Sequence, residues 1–169
     1  MRLVAVIYPP KEVQDVANSF RKRYDPLYSL IAPHIKLTDV LHLSEHQVPN
    51  IVKHLHQVAQ STVPFKVEIH KVSHFHPTNN VIYFAILDKE PLTLLHQKIY
   101  NPIIIEQKPA YAYVPHLTIG QKLSDDELHD VYGQLRMRHF HFQFTVTQFH
   151  LLQQMENEKW ITYQTFNLG

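Results

Sequence analysis

The chain has 169 residues, 44% hydrophobic and 18% charged, with a formal net charge of +1 when histidine is neutral. That balance fits one compact domain or two small lobes sharing a core. It excludes a disordered chain and a broad basic surface for long nucleic acid, so no extended DNA binding is expected. With no cysteine there is no disulfide, thiolate nucleophile or cysteine-based zinc site, and three glycines (Gly120, Gly133, Gly169) cannot build a phosphate-cradling glycine loop.

The opening MRLVAVIYPP carries a short apolar run ended by Pro9-Pro10, too short for a signal segment. No apolar stretch approaches the roughly 20 residues that cross a bilayer, so no membrane partner and a cytoplasmic location are expected. Leu3–Tyr8 is a β-branched run that predicts a buried strand. In Glu12–Arg23, Val13, Val16, Ala17 and Phe20 recur at helical spacing, and Arg21-Lys22-Arg23 suits a solvated C-terminal end. Tyr24–Pro33 reads as a loop, His34–Leu43 as extended, and Glu45–Gln60 as a second helix capped by Ser44.

Phe65–Val72 alternates like a half-buried strand, His74–Asn80 is a turn, and Val81–Leu87 predicts the partner strand of a hairpin. Pro91–Tyr100 is a short helix, and Asn101–Tyr113 is irregular. Val114–Gly120 is extended, and Ser124 caps a further helix with Asp125, Asp126 and Glu127 in its first turn. Phe142–Leu151 and Trp160–Phe166 alternate like a strand pair, with Trp160 in the core.

Each half thus reads strand, helix, loop, strand, helix, strand. The expected fold is α+β: one domain over 1–169 with two pseudo-twofold lobes of antiparallel sheet around a central cleft and helices outside. The lobes are approximately 1–80 and 81–169, with strands exchanged between them as an option.

Histidine is over-represented, at 14 residues. Two of them open extended segments directly after proline, in Ala32-Pro33-His34-Ile35-Lys36-Leu37 and Val114-Pro115-His116-Leu117-Thr118-Ile119, close to half the chain apart. Strand alternation puts His34 with Lys36 on one face and His116 with Thr118 on one face, while Ile35, Leu37, Leu117 and Ile119 point under the helices. Converging lobes would join two imidazoles, an ammonium and a hydroxyl in one cleft. One neutral imidazole can take a proton from water or a ribose hydroxyl, and one protonated imidazole can give a proton to the leaving oxygen. Lys36 and Thr118 can hold non-bridging oxygens. No metal or cofactor is called for, because the imidazoles handle the protons. His74-x-His76 and His139-x-His141 lack a third ligand in sequence and read as ordinary histidines.

With these motifs in view, the chain resembles the 2H phosphoesterase superfamily, which includes RNA 2′,3′-cyclic phosphodiesterases and the so-called 2′-5′ RNA ligases. The resemblance covers essentially the whole chain and is nearest a small bacterial branch of phosphoesterases. The family carries one His-x-Thr/Ser-x (HXTX) motif per lobe. His116-Leu117-Thr118-Ile119 fits it fully, whereas His34-Ile35-Lys36-Leu37 departs at its third position. The resemblance implies that His34 is the proton donor and His116 the acceptor, with a 2′,3′-cyclic phosphate or 2′-5′ linkage of a small nucleotide or RNA end as substrate. Lys36 is then either a charged phosphate ligand or a degraded position whose hydroxyl Thr38 replaces, and in the second case the chain is a non-catalytic nucleotide or RNA-end binder. Tyr24, Tyr28, Tyr111 and Tyr113 lie in loops before the motifs and are candidates for stacking on a base.

Overall fold

The computed structural model describes residues 1–169. Its nine strands are β1 (Arg2–Ile7), β2 (Ile35–Lys36), β3 (Leu41–His42), β4 (Phe65–His74), β5 (Ile82–Ile86), β6 (His116–Gly120), β7 (Phe142–Val146), β8 (Gln148–Gln154) and β9 (Trp160–Asn167). The four helices are α1 (Lys11–Tyr24), α2 (Val48–Gln60), α3 (Glu90–Ile99) and α4 (Asp125–Leu135). No helix is long and apolar enough to cross a membrane.

The local signals explain most boundaries. Pro9-Pro10 ends β1, with Pro10 as N-cap of α1. Ser124 caps α4 in a reciprocal box with Glu127, each side chain bonding the other's backbone N–H. The second helix begins at Val48 rather than at Glu45. Gln47 Oε1 accepts from the Ser44 N–H (2.9 Å), which closes a turn ahead of the helix, and Pro49 sits in its first turn.

All strands join one antiparallel sheet in the order β7-β4-β5-β6-β2-β1-β8-β9, with β3 also paired to β1. The strand order in the sheet does not follow the chain's midpoint. β4 to β7 make one half, and β1 to β3 with β8 and β9 make the other. Physically, β1 is apolar from Leu3 to Ile7 and buried on both faces, as a centre strand must be. β2 is too short to cover its flank, and β8 returns from the far end of the chain to cover the other edge. The predicted strand Phe142–Leu151 is accordingly two strands broken at Thr147, β7 beside β4 and β8 beside β1.

The helices lie on one side and enclose the main core, to which Leu3, Ala5, Ile7, Ile35, Leu37, Leu117 and Ile119 contribute from the sheet. The other side is a groove floored by two small apolar clusters. Val4, Val6 and Leu152 lie left of the centre strands, and Val81, Tyr83 and Ala85 lie right of them.

Arg21 corrects the expectation of a solvated helix end. Its side chain and that of Asp25 are each 2% exposed and form an ion pair of 3.2 Å. The guanidinium also donates to the Ile31 carbonyl (2.6 Å) and to Asn18 Oδ1 (2.7 Å). Asp25 Oδ1 accepts from the Leu27 N–H and from Gln121 Nε2, both at 2.9 Å. One buried pair therefore ties the end of α1 to the arm before β2 and to the residue after β6. Removing one partner strands a buried charge, so Arg21→Leu is expected to cost about 3–5 kcal/mol. The paired Arg21→Leu/Asp25→Leu change should cost clearly less, as urea unfolding of both variants would show.

Candidate active site

The two halves of the sheet meet where β2 lies beside β6, with Ile35 opposite Leu117. Continuing that antiparallel register puts His34 opposite Thr118 and Lys36 opposite His116. Ile35 and Leu117 point into the core, so these four polar residues share the groove face. His34 and His116 are diagonal neighbours, a relation that typically separates residues by roughly 7–8 Å. The structure thus brings His34, Lys36, His116 and Thr118 together.

Both imidazoles are held in the same way. His34 Nδ1 lies 2.8 Å from the Ala32 carbonyl, and His116 Nδ1 lies 2.7 Å from the Val114 carbonyl, each two residues back. A carbonyl oxygen only accepts, so each Nδ1 carries the proton. In the neutral ring Nε2 is left with its lone pair free. The proline between acceptor and histidine, Pro33 or Pro115, is buried in both arms and fixes the backbone of the two-residue loop.

Electrostatics keep the rings neutral. Burial chiefly lowers the His34 pKa to about 4; its bond to Ala32 pulls it up by less, and the Lys36, Arg21 and His116 charges each add a smaller downward push. His116 is also pushed below its ordinary value, by burial first and by Lys36. Lys36 is exposed, so the positive charge lies beside both rings at the mouth of the groove.

Thr38 corrects the expectation of a substitute hydroxyl. It is 3% exposed, and its Oγ1 accepts from the Ala5 N–H (3.0 Å), inside the protein rather than in the groove. The end of α3 and the irregular segment after it do what the sequence did not reveal: they brace the first motif. Tyr113 donates to the Lys36 carbonyl (2.6 Å), and His96 Nδ1 donates to the Leu37 carbonyl (2.7 Å). The two rings stack on each other at 4.0 Å. Tyr100 Oη accepts from the Asp39 N–H (2.9 Å), and Gln107 exchanges two bonds with the His42 backbone. Burial pushes the Tyr113 phenol up, so it remains a donor.

Of the other tyrosines, Tyr111 is exposed, Tyr24 packs on Gly120, and Tyr28 lies under the Arg21 guanidinium. The aromatic surfaces that do flank the histidines come from elsewhere, one of them from the His74–Asn80 turn, which the sequence offered as a lining of the cleft. Phe75 and Tyr83 stack together at 4.2 Å, and their rings lie 4.9 and 5.1 Å from that of His116. On the His34 side, Tyr8 packs on His150 at 5.1 Å, and Trp160 rests on Val4, Val6 and Leu152, partly buried rather than in the main core. The sequence signal for Tyr8 and Tyr83 was strand parity: Tyr8 shares parity with Val4 and Val6, and Tyr83 with Val81 and Ala85. His74 and His76 pack instead on Tyr132 and His129.

A sequence model described as the 2′-5′ RNA ligase superfamily matches residues 9–158. A protein of Bacillus licheniformis named "Putative phosphoesterase" is 46% identical over 169 residues, covering 100% of this chain and 99% of its own. One of the same description from Bacillus cytotoxicus is 47% identical, covering 100% and 98%. Among solved structures, Escherichia coli LigT complexed with 3′-AMP superposes with a TM-score of 0.74 at 14% identity, over 99% of this chain and 97% of that one. TT0787 of Thermus thermophilus gives 0.68 at 16% identity, over 99% and 98%. At these identities the solved structures show the shared fold.

The charge arrangement makes a direct forecast. Histidine NMR titration should find His34 half-protonated near pH 4 and His116 below the ordinary imidazole value. Lys36→Thr removes a positive neighbour, which lets each imidazolium form more easily, so both midpoints should move to higher pH. Unmoved midpoints would show that Lys36 does not act on the rings.

Proposed function

The chain belongs to the 2′-5′ RNA ligase superfamily, and from that premise we propose that this phosphoesterase opens a 2′,3′-cyclic phosphate or 2′-5′ phosphodiester of a nucleotide or RNA end by acid–base chemistry shared between His34 and His116. The observation that carries the reading is the duplicated bond from Nδ1–H to a carbonyl two residues back. It leaves two Nε2 atoms, from distant parts of the chain, free on one face beside Lys36 and Thr118.

For hydrolysis of a cyclic phosphate, neutral His116 takes the proton of a water molecule as its oxygen bonds to phosphorus. Protonated His34 gives its proton to the ribose oxygen as the P–O bond breaks, leaving a phosphomonoester. Proton transfer of this kind by a positioned side chain contributes about 10²–10⁴-fold each. The Lys36 ammonium and Thr118 hydroxyl bind the non-bridging oxygens, where negative charge is held through the transition state.

His34 at about 4 is mostly unprotonated in the free protein at neutral pH. The bound phosphate is an anion beside the ring, and it raises the imidazolium's stability and hence its pKa. Substrate binding therefore prepares the acid. That same low value is the one observation favouring a second reading, a nucleotide or RNA-end binder that does not turn over.

Three measurements separate the two. His34→Ala and His116→Ala should each lower kcat by about 10²–10⁴-fold on a 2′,3′-cyclic nucleotide, with thermal unfolding little changed. The pH profile of kcat/KM, which reports the free protein, should be a bell centred on the acid side of the ordinary imidazole pKa of 6.5, because both rings are depressed. Activity should persist in chelator. Saturable binding with no turnover by the unaltered protein would select the binder.

A further inference from the structure

Two cavities flank the histidine pair, one on each half of the sheet. The first, about 460 Å³, borders the His34 arm and is lined by Tyr8, Pro9, Pro10, Gln14, Ala32, Gln148 and His150. The second, about 260 Å³, borders the His116 arm through Val114 and Pro115, with Lys71, Ser73, Tyr83 and Lys89 among its walls. They occupy corresponding places: each adjoins the residues before a motif histidine, the strand next to that motif strand, and the strand beyond it. They differ in charge. The first contains no lysine, arginine or carboxylate, and burial pushes its one titratable imidazole, His150, down from its usual value. The second contains two lysines and no carboxylate.

From this asymmetry we propose that the cavity beside His116 binds a second phosphoryl group of the substrate through Lys71 and Lys89, so that the preferred ligand carries two phosphates rather than one. The inference rests on reading the groove as the phosphoester site, and it goes beyond that reading by naming which side of the ligand carries additional charge.

Several features of the cavity support it. Neither Lys71 nor Lys89 belongs to any of the ion pairs in the protein, which are Lys11–Asp15, Arg21–Asp25, His76–Asp125 and His141–Glu68. Two like charges without counter-ions repel, and an anion between them removes that cost. The strand that carries Lys71 is irregular at this place: Ile69 pairs with Ile86 and Lys71 with Ala85, so His70 is an extra residue in a bulge. A bulge re-aims side chains, and here both His70 and Lys71 reach the cavity. His70 Nδ1 is buried without a hydrogen-bond partner, and Ser73 offers a hydroxyl at the same wall. Tyr83 lines the cavity and also packs on His116 at 5.1 Å, so one ring borders both the cavity and the second histidine. One nucleotide can therefore place one phosphate between the histidines and a second between the lysines.

The test compares adenosine 3′,5′-bisphosphate with adenosine 3′-monophosphate by titration calorimetry at fixed salt. Charge-assisted bonds to the second phosphate should make the bisphosphate bind about tenfold or more tightly. In Lys71→Gln/Lys89→Gln that advantage should fall to near parity and the salt dependence of bisphosphate binding should flatten. Thermal unfolding would verify that the variant is folded, and the single changes serve if the double one is not. Equal affinities in the unaltered protein, or an advantage that survives the double change, would overturn the proposal. His34→Ala and His116→Ala should keep the bisphosphate preference. If the unaltered protein turns over no cyclic phosphate yet shows a lysine-dependent preference, the catalytic reading falls and the second-anion site stands.

Discussion

The whole arrangement depends on one seam. Two antiparallel halves of a sheet touch through β2, a strand of two residues, and β6, and the direct pairing there is Ile35 with Leu117. Everything proposed for the groove requires this short contact to hold its register, because a slip of one residue would turn His34 and Lys36 into the core and Ile35 out of it. Backbone pairing this brief is weak. The protein reinforces it from both sides: the Arg21–Asp25 pair clamps the arms from the helix side, and the 96–113 segment bonds the backbone at Lys36, Leu37, Asp39 and His42. The end of α3 and the loop before the second motif are thus structural partners of the first motif.

The second organising effect is unbalanced charge. Net charge is near zero, yet the groove gathers positive groups: Lys36 beside both histidines, and Lys71 and Lys89 to one side. Desolvation and Lys36 act in the same direction on both imidazoles and hold them neutral, and Arg21 adds to this at His34. Like charges gathered in this way repel one another, and an anion relieves the repulsion. Under the proposed function, affinity for phosphate and activation of the acid are one event, because the charge that binds is also the charge that returns a proton to His34. The departure of Lys36 from the Thr or Ser of the family pattern fits this picture as a change in strength of the anion site. The buried hydroxyl of Thr38 supplies no substitute.

Much of the molecule was legible in its sequence because local and global preferences agree. Apolar alternation marked most strands, Ser124 with Glu127 marked a capping box, and two Pro-His dipeptides half a chain apart marked the residues that meet. What escaped depended on contacts that local pattern does not encode. Arg21 sits in a basic triplet that reads as solvent-facing, and only an aspartate one helical turn later hinted at a buried pair. The place of β8 beside β1 follows from β1 needing two neighbours, which is a property of the assembled sheet. Phe142–Leu151 reads as one alternating run, but its parity changes at Thr147-Gln148, from Phe142, Phe144 and Val146 to Phe149 and Leu151, and that change is where the chain passes between opposite halves. The groove's aromatic walls were visible as strand parity and, for Phe75, as a turn placed to line the cleft. Side chains of equal parity could have been core or cleft until the helices were known to cover one face.

The central claim is that two imidazole Nε2 atoms converge on one phosphorus atom. The most direct measurement is a crystal structure with inorganic phosphate or vanadate bound. The account predicts an anion within hydrogen-bond reach of Nε2 of both His34 and His116, with the Thr118 hydroxyl on a third oxygen and both Nδ1 atoms still bonded to their carbonyls. An anion held away from either ring, or a His34 that turns its Nε2 out of the groove when the anion binds, would contradict it.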